Sequence, residues 1–148
     1  FEFEGIRDAS PSLGFKAALT NNNLGSIIIC PSNPFVSVDP VLKLPGVMAA
    51  IEAANAPTIA VSPIVGGQAI KGPAAKMMKE LGMPQTALAV AQHYQGRIDG
   101  FVIDEADATM AADIEALGIK TLVTKTMMRS LQDRVDLAEA CLTFAESF

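Results

Sequence analysis

Two stretches of this sequence combine small hydroxyl and amide side chains with glycines and a lysine, a mixture suited to holding phosphate. The first is Pro31-Ser32-Asn33-Pro34-Phe35-Val36-Ser37-Val38-Asp39-Pro40. Ser32, Asn33 and Ser37 there have donors for an oxyanion. The second is Pro63-Ile64-Val65-Gly66-Gly67-Gln68-Ala69-Ile70-Lys71-Gly72-Pro73. Gly66 and Gly67 let the backbone come close to a ligand, and their N–H groups can form an anion-binding nest. Lys71, followed by Gly72, adds one mobile charge just ahead of a helix N-terminus, which itself favours anions. Neither stretch is a Walker A loop or a GxGxxG fingerprint. Gly and Pro also make turns, and Ser and Asn also cap helices, so composition alone leaves both uses open.

Other candidate groups read as structural. Asp99, Asp104, Glu105 and Asp107 form an acidic cluster in which capping and solvation outweigh a divalent-ion site. His93, the sole histidine, lies near a helix end with no Ser or Cys nucleophile setting, which suits a solvated or dipole-compensating role. Met77-Met78 and Met127-Met128 read as core. Asp133-Arg134 reads as a helix-surface feature able to orient a neighbouring loop. Cys30 and Cys141 have no CxxC or Cys/His spacing, which argues against structural zinc. They read as buried, reduced thiols, pointing to a cytoplasmic protein. No catalytic residue and no metal-ligand set is identifiable.

The elements that would position these loops follow from hydrophobic period. Short apolar runs at Ser26–Cys30, Thr58–Ser62, Gly100–Asp104 and Thr121–Thr124 have the continuous pattern of strands buried on both faces. Helical spacing fills the gaps. Val47, Ile51 and Ala54 share one face after Pro45-Gly46. A helix opened by Pro73 turns Met77, Met78 and Leu81 inward and ends at Gly82. Thr86 caps Ala87–Tyr94, and Asp107 caps a segment that Gly118 ends after Leu117. A last helix from Ser130 to Phe144 carries an inward stripe of Leu131, Val135, Ala138 and Leu142, with Cys141 beside it. A short helix covers Gly14 to Leu19. Strands alternating with helices predict a single α/β domain over residues 1–148 with a mainly parallel sheet. Its ligands would then lie beyond the carboxyl ends of the strands, where the two loops fall.

The bulk properties agree. The 148 residues are half apolar but only 5% aromatic, so Ala, Val, Ile, Leu and Met must fill the core. A net charge of −5 with no Lys/Arg-rich run counts against nucleic acid as a partner. No stretch approaches the ~20 apolar residues of a membrane span. The chain opens on Phe1 rather than Met, and Phe1-Glu2-Phe3-Glu4-Gly5 alternates like a strand caught midway. That start reads as a cut or incomplete end.

At the two loops the sequence resembles the 2-phospho-L-lactate transferase family of coenzyme F-420 biosynthesis. Ile29-Cys30-Pro31-Ser32-Asn33-Pro34, with Ser37 and Pro40, is similar to its first C-terminal signature. Ser62 to Gly67, Lys71-Gly72-Pro73 and Lys76-Met77-Met78 are similar to its second. Asp99 to Asp104, Val123-Thr124 with Thr126-Met127-Met128, and Arg134 with Leu137-Ala138 continue the resemblance in order. It covers roughly Ser26 to the end, in the C-terminal part of a longer transferase chain.

The resemblance implies a Rossmann-like three-layer fold. It implies transfer of a phospholactyl or phosphoenolpyruvyl group from a GDP-linked three-carbon acid donor to a deazaflavin acceptor, Fo, with release of GMP. Magnesium and a homodimer are implied as well. It puts Ser32, Asn33 and Ser37 against the donor phosphates or the acceptor, and Gly66, Gly67, Lys71 and Gly72 at the nucleotide end. The family's Gly-rich first loop and metal-holding acidic residues have no counterpart here, which implies that this segment alone is inactive. Phe3-Glu4-Gly5 is similar to the strand just before the shared region. Lys125 stands where an acidic residue is common, and Asp39 where the residue is often small. Two other readings compete: a non-catalytic nucleotide- or nucleotide-sugar-binding regulator of the same fold, and an interaction module needing a partner chain.

Overall fold

The computed structural model describes residues 2–69 and 73–148. The chain runs through α1 (Leu13–Leu19), β1 (Ile27–Ile29), a π-helical turn over Pro34–Val38, α2 (Asp39–Leu42) and α3 (Val47–Ala53). Next come β2 (Thr58–Val61), a hairpin of β3 (Ile64–Val65) and β4 (Gln68–Ala69), α4 (Ala74–Glu80) and α5 (Ala87–Tyr94). The last third holds β5 (Gly100–Asp104), a 3-10 segment over Glu105–Met110, α6 (Ala111–Glu115), β6 (Lys120–Thr124) and α7 (Leu131–Ala145).

The four expected apolar runs pair as one all-parallel sheet in the order β1-β2-β5-β6. Each step goes to the adjacent strand in the same direction, so crossovers of one hand place their helices on one face. Side chains alternate across the sheet accordingly. Ala60, Phe101 and Ile103 face a large core with Val47, Ile51, Met78, Val90, Tyr94 and Ile114. Ile59, Val61 and Val102 face the other way, onto Leu137, Cys141 and Ala145. The result is a Rossmann-like three-layer α/β fold with α7 forming the second helical layer.

Several local expectations are met. Thr86 caps α5 by accepting from Ala89 N at 3.2 Å. Gly82 and Gly118 follow the ends of α4 and α6 with φ of +69° and +82°, a conformation glycine adopts without strain.

Others are corrected. Glu4 to Asp8 form turns, with Ile6 N donating to Phe3 O and Asp8 N to Gly5 O, so no strand begins there among the described residues. Leu81 is the exposed C-cap of α4, and Cys30 is exposed. The stripe on α7 is rotated. Leu131 is 73% exposed and Leu142 53%, and Val135 and Ala138 are exposed too. The sheet side is Leu137, Cys141 and Ala145 instead. Cys141 and Ala145 are small, which lets the helix axis lie close over Ile59, Val61 and Val102, whereas the larger Leu131 stripe faces outward.

Gly100 marks how closely α7 and the C-terminus approach. A Cβ built there would lie 2.8 Å from a Phe144 ring atom, 2.9 Å from Phe148 and 3.2 Å from Ile59. Lys120 fixes this end by donating to Ser147 O at 2.6 Å and sitting 4.2 Å over the Phe148 ring. Urea unfolding is expected to show Leu137→Ala losing about 2–4 kcal/mol and Gly100→Ala about 1–3 kcal/mol. Leu131→Ala is expected to lose under about 0.5 kcal/mol. A larger loss for Leu131→Ala than for Leu137→Ala would refute the rotated face.

Candidate functional site

Parallel strands end together, and the register places Ile29, Ala60 and Phe101 in line. The residues just past β1 and β2 therefore share one rim with the loop that follows β6. There Pro31, Ser32 and Asn33 from the first loop meet Ser62 and Pro63 from the second. Thr126 and Met128 after β6 complete the walls together with Arg134 of α7, enclosing a cleft of about 240 Å³.

Arg134 reaches the cleft because of helix geometry. It is seven residues before Cys141, so the two lie within a few tens of degrees on the same face. Cys141 sits on the sheet; two turns earlier that face has passed the strand ends and overhangs the cleft. The N-terminus of α7 is closed by its own side chains. Ser130 accepts from Asp133 N at 3.1 Å, and Asp133 accepts from Ser130 N at 2.6 Å and Arg129 N at 2.8 Å. Those hydrogen bonds hold the Asp133 carboxyl below its ordinary value.

Thr126 is buried and held by Asp104. One Asp104 carboxylate oxygen accepts from Thr126 N at 2.8 Å and from its hydroxyl at 3.0 Å, while the other accepts from Ala106 N at 3.0 Å. Burial by itself raises the Asp104 carboxyl. The bonds from the Thr126 backbone, the Ala106 backbone and the Thr126 hydroxyl outweigh it and keep the carboxyl below its usual value. An ionised carboxylate only accepts, so the Thr126 hydroxyl proton is committed to Asp104. Ser62 is engaged locally, donating to Ile64 O at 2.8 Å and accepting from Ile64 N at 3.2 Å.

The residues expected from the sequence separate into groups. Ser32 and Asn33 line the cleft. Asn33 is also the N-cap of the π-helical turn. Its carbonyl accepts from Phe35 N at 3.0 Å and Val36 N at 3.2 Å, and its NH₂ group points at Met77 Sδ at 3.1 Å. Ser37 is exposed in that turn and does not line the cleft. Gly66 and Gly67 have φ of +56° and +77° at the β3–β4 turn, outside the cleft lining. Gly66 N donates to the Asp107 carboxylate at 3.1 and 3.2 Å, so this N–H of the expected nest is already spoken for. Asp107, only 2% exposed, thus ties the hairpin to the 3-10 segment rather than capping it, and Asp104 takes the capping position. Lys71 and Gly72 lie outside the described residues.

His93 proves to be part of a polar cluster around the buried Asp39. Asp39, 4% exposed, meets His93 Nε2 at 3.0 Å and the Arg97 guanidinium at 3.1 Å on one oxygen, and Lys43 Nζ at 3.2 Å on the other. Burial raises the Asp39 carboxyl, but His93 and Lys43 outweigh that and hold it low. This cluster joins α2 to α5 and lies outside the cleft. A wider cleft of about 680 Å³ opens at the opposite, amino ends of the strands, between Asn55–Thr58 and Gly96–Asp99. Asp99 is used there as an anchor, accepting from Thr58 N at 2.8 Å. Among the described residues no three His, Cys, Asp or Glu side chains converge as a metal site. No single helix among them is long and apolar enough to cross a membrane.

Comparison with known proteins gives these positions a context. The family model described as 2-phospho-L-lactate transferase CofD matches residues 3–132. A phosphoenolpyruvate transferase of Streptomyces griseus is 36% identical over 143 residues, covering 96% of this chain and 44% of the relative. A 2-phospho-L-lactate transferase of Methanosarcina barkeri is 36% identical over 138 residues, 93% of this chain and 43% of its own. That of Methanocaldococcus jannaschii is 34% identical over 145 residues, 98% and 44% respectively. The chain therefore spans less than half the length of these relatives.

The Asp104 clamp has a pH signature. A carboxyl held low in the fold stabilises fully above its unfolded value of about 3.9 and loses that contribution as pH falls through the lower folded value. Asp104→Asn is expected to lose about 1–3 kcal/mol at pH 7, with the gap to wild type closing as pH falls below about 4. Urea titrations across pH 2–7 read this directly, and a gap independent of pH would rule out the ionised clamp.

Proposed function

The chain belongs to the 2-phospho-L-lactate transferase CofD family, and we propose that it is the C-terminal part of a transferase of coenzyme F-420 biosynthesis. The proposed reaction moves a phospholactyl or phosphoenolpyruvyl group from a GDP-linked donor to the terminal hydroxyl of Fo. The acceptor oxygen forms a bond to the phosphorus carrying the three-carbon acid. The bond from that phosphorus to the GMP phosphate oxygen breaks, GMP leaves with that oxygen, and the acceptor's hydroxyl proton passes to solvent.

The observation that supports this reading most is the small cleft at the carboxyl ends of the strands, where Ser32, Thr126 and the Arg134 guanidinium converge. Ligands of open α/β sheets bind at that rim. Phosphoryl-type transfer draws its rate from positioning and charge neutralisation, and a guanidinium with a hydroxyl supplies both. Among the described residues the cleft is lined by no general base and no carboxylate set for magnesium. We therefore propose that the family's magnesium is held by residues outside this segment. Among the described residues the strand order of this sheet also never reverses, whereas the strongest ligand sites of such folds lie where it does. Both features support a site completed by the rest of the protein.

Release of GMP by the full-length protein, followed chromatographically with a GDP-linked three-carbon acid and Fo, tests the reading. Turnover is expected with magnesium, and none from the 148-residue segment alone. Specific binding of a UDP-sugar with no GMP release would favour the regulatory alternative instead.

A further inference from the structure

We propose that Asp39 and His93 are a positioning pair that fixes how the first loop presents Ser32 and Asn33 to the cleft. That this placement serves group transfer rests on the transferase reading; the clamp itself rests on the geometry. From Asn33 to Asp39 the loop is one hydrogen-bonded unit. The Asn33 side chain accepts from Phe35 N and Val36 N, and its backbone carbonyl accepts from Ser37 N at 3.1 Å and Val38 N at 3.2 Å. Pro34 O then accepts from Asp39 N. Ser32 directly precedes this unit and lines the cleft with Asn33, so any roll of the turn carries both residues with it.

Two kinds of contact hold the far end. Phe35, Val38 and Leu42 are buried in the larger core, but apolar burial is non-directional and tolerates a slide or a roll. Asp39 supplies direction. One of its oxygens meets His93 Nε2 on α5 at 3.0 Å and the Arg97 guanidinium, three residues past α5, at 3.1 Å. An ionised carboxylate only accepts, so Nε2 carries the proton there. The same imidazole stands edge-on to Phe35, with 5.0 Å between ring centroids and 66° between planes. A single side chain of α5 thus grips the turn at its middle and at its end. Lys43 meets the other Asp39 oxygen at 3.2 Å, but it directly follows α2 and adds no tie to α5. Replacing a buried ionic contact by packed apolar groups is often neutral for stability. A carboxylate only 4% exposed is therefore explained by the one geometry that its hydrogen bonds impose.

Full-length wild type, Asp39→Ala, Asp39→Asn, His93→Leu and Lys43→Ala test this through amide hydrogen exchange across residues 33–39 and the kinetics of GMP release. Asp39→Asn keeps the oxygen that His93 and Arg97 share, and His93→Leu repeats the test from the other side of the contact. Lys43 and Arg97 are 41% and 35% exposed, so both return to water when Asp39 is lost and the variants are expected to fold, which urea curves verify. The Ser37 and Val38 amides are expected to exchange about 10- to 100-fold faster in Asp39→Ala and His93→Leu, with β2 and β5 unchanged. The KM for the GDP-linked donor is expected to rise about 3- to 10-fold with kcat within about twofold, the pattern of lost binding. Asp39→Asn is expected to recover most of both effects, and Lys43→Ala to match wild type. Exchange that quickens equally throughout the chain, a Lys43→Ala effect as large as that of Asp39→Ala, or equal KM in wild type and Asp39→Ala would each overturn the pair. Failure of the transferase reading looks different: exchange in the turn keeps its dependence on Asp39 while no protein, wild type included, releases GMP.

Discussion

The carboxylate of Asp104, at the end of the third strand of the sheet, receives three hydrogen bonds from two different segments. One starts the 3-10 segment that leads into α6; the other two pin Thr126, the second residue after β6. A strand end buried beside an apolar core cannot leave a carboxylate unpaired, because an isolated buried charge is too costly. The chain answers by wrapping backbone and hydroxyl donors around it. The path after β6 is then set, and with it the start of α7. If that loop moved, Leu137, Cys141 and Ala145 would lose their register on Ile59, Val61 and Val102, and Arg134 would no longer overhang the cleft. Asp107 repeats the device three residues on, tying Gly66 of the hairpin to the same 3-10 segment. The two loops flanking the cleft are therefore held by buried carboxylates that do not themselves line it.

This arrangement also explains how a chain with a net charge of −5 can present a local cationic site. Asp104 is held by N–H and O–H donors, Asp107 by the Gly66 N–H, and Asp39 by Lys43, His93 and Arg97. Their charges are offset where they stand. Arg134 faces the cleft with no such partner among the described residues, so an incoming anion meets an unpaired guanidinium rather than the average charge of the molecule.

What the sequence conveyed was local. Runs of β-branched and apolar residues specify strands by their period, and a parallel sheet turns the residues after each strand toward one rim; the place of Ser32 and Asn33 at that rim followed from this pattern. What it concealed was non-local or degenerate. Gly66 and Asp107 are 41 residues apart, and His93 and Asp39 are 54 apart, so no periodicity links them. On α7 two apolar stripes compete, Leu131-Val135-Ala138-Leu142 and Leu137-Cys141-Ala145. The larger stripe is the more hydrophobic, but the smaller one lets the helix settle closer to the sheet, and packing decides. The seven-residue spacing from Cys141 to Arg134 held the signal for the guanidinium's position. It becomes informative only once Cys141 is known to face the sheet. Nucleotide binding by Gly66-Gly67 looked plausible from glycine alone, yet the first of their N–H groups already serves the fold.

The central claim is that phosphate binds at the carboxyl rim of the sheet, beneath Arg134. A crystal structure of the full-length protein with GDP and magnesium addresses it most directly. The account requires the terminal phosphate to lie in the cleft between Ser32 and Thr126, within about 2.7–3.2 Å of an Arg134 nitrogen and the Ser32 hydroxyl. Phosphates placed instead in the wide cleft at the opposite end, beside Asn55 and Arg97, would contradict it.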